Sequence, residues 1–227
     1  MKKHLVALAA FTTLSLPALA EVSANLALTS NYKFRGQDQT SNKPAFSGGF
    51  DYEAGGFYIG NWNSSIGFTD AGIEMDLYGG YKVDLGGVEL DVGALLYYYP
   101  QKEKDANLNT TEIYFGASFG VFSAKYSHAV SSKWFGVEDG RGTGYLDLSV
   151  SVPLSDTISL DAHYGLSRFS SGAKSAGLVN YGDYKIGASF DLGNGFSASA
   201  AYVGANKKNV YGDINKGRVI FTISKAL

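Results

Sequence analysis

The stretch Ile73-Glu74-Met75-Asp76-Leu77-Tyr78-Gly79-Gly80-Tyr81-Lys82-Val83, followed by Asp84-Leu85-Gly86-Gly87 and Val88-Glu89-Leu90-Asp91-Val92-Gly93-Ala94-Leu95-Leu96-Tyr97-Tyr98, decides the fold. In both runs every second residue is apolar, apart from Gly79, and the residues between are polar, glycine or tyrosine, apart from Leu95. That is the period of a β-strand with one apolar and one polar face. The intervening residues form a tight turn, so the pair is an antiparallel hairpin.

The same rhythm continues in both directions. It gives twelve runs, beginning with 22–34, 45–53 and 57–65 and continuing after the quoted pair with 111–119, 121–130, 145–152, 158–166, 182–191, 196–203 and 218–226. Ten or fourteen strands are the nearest alternative counts. The connections alternate in length. Short turns such as Ala54-Gly55-Gly56, Gly120, Pro153-Leu154-Ser155-Asp156 and Leu192-Gly193-Asn194-Gly195 face long polar segments at Arg35 to Lys43, Gly67 to Gly72, Pro100 to Asn109, Ser131 to Gly144, Arg168 to Asn180 and Gly204 to Gly217. Unequal ends belong to a closed barrel whose two rims face different compartments. The expectation is an all-β chain forming a single antiparallel transmembrane β-barrel of about twelve strands. Its short turns and both termini would be periplasmic, and its long loops extracellular. Aromatic residues placed on the apolar faces, including Tyr32, Phe34, Tyr52, Tyr58, Trp62, Tyr98, Tyr126, Tyr164 and Tyr202, would mark the lipid–water boundaries.

The first twenty residues read as a secretory signal: basic Met1-Lys2-Lys3-His4, an apolar run from Leu5 to Leu16, and Ala18-Leu19-Ala20 before the cut. Residues 21–227 would then form the barrel, in the outer membrane of a Gram-negative bacterium. Without Lys2 and Lys3 the 19 basic residues become 17 against 21 acids, a mature charge of about −4 that gives no footprint for nucleic acid. With 0 cysteines, disulfides and thiolate chemistry are excluded. Neither a cofactor nor a metal is expected.

The words Ser30-Asn31-Tyr32-Lys33-Phe34-Arg35-Gly36, then Gln37, Thr40, Pro44, Gly48-Gly49-Phe50-Asp51-Tyr52 and Gly60-Asn61-Trp62, resemble the opening of the TorF family, Gram-negative outer-membrane proteins named as porins. The specific match lies in the first third of the mature chain; the remainder agrees in length and strand rhythm. The resemblance implies an outer-membrane barrel without naming a solute. The chain departs from the usual aromatic end of such proteins, finishing Phe221-Thr222-Ile223-Ser224-Lys225-Ala226-Leu227, so recognition by the barrel-assembly machinery during biogenesis is expected to work, at lower efficiency.

The polar strand faces supply the candidate pore lining: Lys33, Asp51, Glu74, Asp76, Lys82, Glu89, Asp91, Glu112, Lys125, Asp147, Asp161, His163, Asp183, Lys185 and Arg218. Their acid excess predicts passive diffusion of small hydrophilic solutes with a mild cation preference. Tyr78, Tyr97, Tyr99 and Tyr114 fit either a stacking strip for sugars or lumen filler. The longest loop, with Trp134, Phe135 and Arg141, is the candidate constriction. Basic loop residues, among them Arg35, Lys43, Lys133, Arg168, Lys174, Lys207, Lys208 and Lys216, would meet outer-membrane lipids and lipopolysaccharide phosphates at the rim. The alternative is a closed structural or adhesive barrel. A lipid hydrolase is a further alternative, but His128 falls on the apolar face and Ser127 on the opposite one, so no enzyme is expected.

Overall fold

A computed structural model describes residues 20–100 and 107–227; the expected signal segment, apart from Ala20, and the charged residues Lys102, Glu103, Lys104 and Asp105 lie outside the described residues. Alternation becomes structure in the strands β1 (Glu21–Thr29), β2 (Lys33–Phe34), β3 (Gln37–Asp38), β4 (Ala45–Ala54), β5 (Phe57–Ser65), β6 (Ile73–Asp84) and β7 (Val88–Tyr98). There follow β8 (Thr110–Phe119), β9 (Phe122–Ala129), β10 (Gly144–Pro153), β11 (Ile158–Arg168), β12 (Tyr181–Gly193), β13 (Phe196–Ala205) and β14 (Arg218–Ala226). All except β2 and β3 form one closed twelve-stranded barrel, each strand beside its sequence neighbour, with β1 pairing antiparallel to both β4 and β14. Closure satisfies every edge, as a sheet in hydrocarbon requires.

The walls are inside out compared with a water-soluble protein. Val22, Phe46, Phe50, Phe57, Ile59, Phe115, Ile186, Val219 and Phe221 are exposed on the outer surface, whereas Glu74, Asp76, Asp91, Glu112 and Asp183 are buried on the inner one. An apolar coat around a polar interior is stable in lipid and not in water. Tyr52, Tyr98, Tyr126, Tyr164 and Tyr202 lie in that outer coat. Among the described residues no helix is long and apolar enough to cross a membrane.

The two rims differ. At one, strands are joined by tight turns such as Gly55-Gly56, both at positive φ, whose backbone twist matches the flanking strands. At the other, long segments fold over the mouth, including the short helices α1 (Ser171–Ser175) and α2 (Lys208–Tyr211). The apolar core sits at this rim: Trp134, Phe169, Ala173, Tyr181 and Ala205 form one cluster, Ile66, Tyr97 and Tyr99 another, and Phe135 packs against both.

Two expectations from periodicity are corrected. The first run was expected to continue to Phe34, but β1 stops at Thr29. There the Asn31 side chain donates to Asp38 Oδ2 (3.0 Å) and Asn42 Oδ1 (3.3 Å) and accepts from Thr40 Oγ1 (3.2 Å), a local network that competes with the ladder and turns the chain inward. Tyr32 and Phe34 therefore lie inside the mouth instead of on the lipid face. Tyr58 and Trp62 also face inward, because their neighbours Phe57 and Ile59 occupy the outer face and side chains alternate.

Candidate functional site

The lumen is organised around the hairpin β2–β3. Its turn is Arg35-Gly36, with φ of 47° and 76°, between the paired residues Phe34 and Gln37. Left-handed backbone at two consecutive positions makes the narrow turn that matches strand twist. Gly36 is required twice over, since a Cβ there would lie 2.5 Å from Asp183 Cβ and 2.8 Å from the Gly204 carbonyl. The tip thus rests against β12 and β13 while Arg35 reaches across to β8. There Nη1 and Nη2 donate to Glu112 Oε1 (3.0 Å) and Oε2 (2.6 Å), a fork-on-carboxylate pair with side chains only 6% and 1% exposed. The guanidinium lies 4.3 Å from the Tyr145 ring centre and 4.7 Å from that of Phe34. Burial works against the Arg35 charge, but Glu112 outweighs it and holds the group protonated.

Further contacts seat the hairpin. Tyr32 OH donates to Glu74 Oε1 at 2.6 Å, Tyr99 OH donates to the other oxygen, and Gln37 Nε2 donates to Asn215 Oδ1 at 2.9 Å. Lys33 Nζ donates to the carbonyls of Gly36 and Ile214, each at 3.1 Å. Burial pulls the Lys33 ammonium down to about 8, against the attraction of Asp38 and aided by repulsion from Arg218 and Lys208. Burial also disfavours the Asp38 carboxylate, but hydrogen bonds from Asn42, Asn31 and Thr40 hold it below the usual range.

Three expected site assignments change. Arg35 is not a rim cation facing lipopolysaccharide, and Lys33 is on the hairpin instead of a barrel strand. The candidate constriction loop contributes Phe135, whose ring meets those of Phe34 (5.5 Å), Tyr97 (5.0 Å) and Tyr99 (6.2 Å), while Trp134 packs behind it on Phe169. Arg141 is exposed and donates to the Val130 carbonyl, so it braces its loop and lines no constriction. The principal intrusion is the first loop, residues 30–44, which periodicity hid by seeming to extend β1.

Around and beneath the plug, the inner wall carries connected ionisable groups. His163 bridges Asp147 Oδ2 (3.0 Å) and Asp183 Oδ1 (2.8 Å), and Tyr145 OH lies 3.1 Å from the same Asp183 oxygen. Tyr58 OH donates to Asp91 Oδ1 at 2.6 Å and touches Tyr114 OH; Lys125 Nζ lies 3.8 Å from the Tyr114 ring centre. Tyr78 OH donates to Asp51 Oδ1 at 2.5 Å, Lys82 Nζ to Glu53 Oε1 at 3.3 Å, and Ser151 and Ser189 to Asp161. Lys185 pairs across strands with His163, and Arg218 Nε lies 3.9 Å from Asp38. Asp76 and Glu89 point to the interior, each with a buried oxygen that has no hydrogen-bond partner among the described residues. On the outer face Tyr126 and His128 contact one another, and Ser127 is buried on the inner side.

A closed twelve-stranded barrel with an apolar coat, a polar interior and an inward loop is a porin-type outer-membrane fold. The chain belongs to a family described as a bacterial protein of unknown function (Gcw_chp), matched over residues 17–226. Among solved structures it is similar to the KdgM porin, with a TM-score of 0.58 and 6% identity over 92% of this chain and 98% of that one. It is also similar to the NanC porin, with a TM-score of 0.57 and 8% identity over 91% and 98%. At such identities the likeness concerns the fold. No curated protein matches the sequence.

Proposed function

We propose that the protein is a narrow, gated outer-membrane channel for small hydrophilic solutes, with a mild cation preference and with the β2–β3 hairpin as its gate. The observation that carries this reading is the way the hairpin is attached. It occupies a lumen lined by acids and is held across that lumen by the Arg35–Glu112 pair, a longer Arg218–Asp38 pair and a few polar contacts, a seat that can be released without unfolding the wall. The inner-wall acids Asp51, Glu74, Asp76, Glu89, Asp91, Glu112, Asp147, Asp161 and Asp183, against Lys82, Lys125, Lys185 and Arg218, favour cations. The TorF-like opening words agree with a porin, and the short-turn rim, with both termini, is assigned to the periplasm. Exposed Lys174, Lys207, Lys208 and Lys216 at the other rim suit lipopolysaccharide phosphates. A signal peptide ending at Ala20 suits that location and predicts a mature N-terminus at Glu21, readable by terminal sequencing.

A closed structural barrel is the second reading, favoured by the packing of Phe34, Tyr97, Tyr99 and Phe135 across the mouth. Single-channel recording in planar bilayers under a salt gradient separates the two. Brief steps with a cation-favouring reversal potential, lengthened in Arg35→Ala, support the channel. A folded barrel silent both in wild type and in that variant leaves the structural reading.

A further inference from the structure

Asp76 is the anomaly of the inner wall. On β6 it lies one inward position below Glu74, toward the short-turn rim, and its cross-strand partners are Trp62 on β5 and Tyr97 on β7. The residue is 8% exposed, and Oδ1 is enclosed without a hydrogen-bond partner among the described residues. The surrounding carboxylates differ: Glu74 accepts from Tyr32 and Tyr99, Glu112 from Arg35, and Asp91 from Tyr58. A buried, unpartnered carboxylate oxygen is costly in a native fold and calls for an occupant.

The surroundings define what that occupant is. Glu74 and Glu112 add negative charge nearby, which excludes an anion. Among the described residues no three acid or histidine side chains converge with the geometry of a metal site, and a hard dehydrated cation needs several oxygens at once. Flanking aromatic rings suit a diffuse organic cation, which gains from the ring face as well as from the carboxylate. The same lumen already binds one such group by this chemistry, since the Arg35 guanidinium sits on Glu112 with the rings of Tyr145 and Phe34 beside it.

We propose that Asp76, between Trp62 and Tyr97, binds the guanidinium or alkylammonium head of a solute entering the lumen. This specifies a solute class for the channel reading above and rests on that reading for its role.

The test uses arginine and citrulline, which share a shape and differ in the charge of the head. The chain contains 2 tryptophans, Trp62 and Trp134, so Trp134→Phe in the full barrel leaves Trp62 as an emission reporter beside Asp76. In lipid vesicles, with folding followed by heat-modifiable gel migration, arginine is expected to change Trp62 emission saturably at concentrations on the order of millimolar. Citrulline should bind at least about tenfold more weakly. Asp76→Asn should erase the difference and Asp76→Glu retain it. Equal responses to the two solutes in wild type, or an unchanged arginine response in folded Asp76→Asn, overturn the proposal. In bilayers, channel steps that arginine and citrulline affect alike would sink the site and spare the channel. Saturable, Asp76-dependent arginine binding by a silent barrel would sustain the site and sink the channel.

Discussion

In the proposed gate, Arg35 is the side chain on which closure turns, through its buried pair with Glu112. Breaking a buried ion pair strands the remaining charge, typically at a cost of about 3–5 kcal/mol. Arg35→Ala should therefore unseat the hairpin and leave the wall intact, raising the fraction of time the channel conducts by at least about tenfold. Arg35→Lys should restore little of the closure, because an ammonium cannot fork onto both Glu112 oxygens. Closed-time histograms measure both. Lys33 adds a pH dependence of known sign. Burial holds its ammonium down at about 8 while the hairpin is seated, and release returns it to the ordinary lysine value of 10.5, so between these values the released state binds more protons. Raising the pH through that window favours the seated form. Openings should become rarer from pH 8 to pH 10 and lose that trend in Lys33→Met; more frequent openings at alkaline pH in wild type would contradict this. Neither role was visible in the sequence, where Lys33-Phe34-Arg35-Gly36 looks like the polar end of a strand. Burial of these residues is a tertiary fact with no local periodicity to announce it.

The hairpin depends on shape as much as on charge. Gly36 combines a positive φ of 76° with a close approach to Asp183 and Gly204, so a side chain at that position meets both backbone strain and collision. Gly36→Val should prevent seating while Arg35 and Glu112 remain, giving a long-lived conducting state and faster cleavage of the first loop by added trypsin. If it conducts and cleaves like wild type, the hairpin is not the gate. The barrel strands were legible because each must keep one face in lipid and one in a wet interior, which writes a period of two into the sequence. The hairpin meets protein on both faces, the wall at Glu112 and Asp183 and the loops at Phe135 and Asn215, so its alternation carries no such meaning. Tyr58 and Trp62 failed as boundary markers for a related reason: an aromatic ring fits either face, and only its neighbours Phe57 and Ile59 declare which one it occupies.

For the barrel as a whole, the lipid coat and the lumen tolerate opposite changes. Ile186 is 64% exposed near the middle of β12, so Ile186→Arg places a charge toward the hydrocarbon midplane and should cost about 2–4 kcal/mol. Ser199 on β13 points to the interior, pairing with Ser189 and Thr222, and Ser199→Arg keeps its charge in the polar lumen with Asp161 as a nearby acid on β11. The second change should alter stability by less than about 1 kcal/mol. It should also weaken cation preference, because a positive charge is added to an acidic wall. Urea titration of the vesicle-embedded barrel checks the stabilities, and reversal potentials check the selectivity. The comparison tests the inside-out architecture directly: a soluble sandwich would bury Ile186 in its core and leave Ser199 on a water-facing sheet. Such a sandwich would pay the stability penalty but would have no selectivity to change, so a large loss for Ile186→Arg together with a shifted reversal potential for Ser199→Arg requires a lipid-facing coat around a conducting interior.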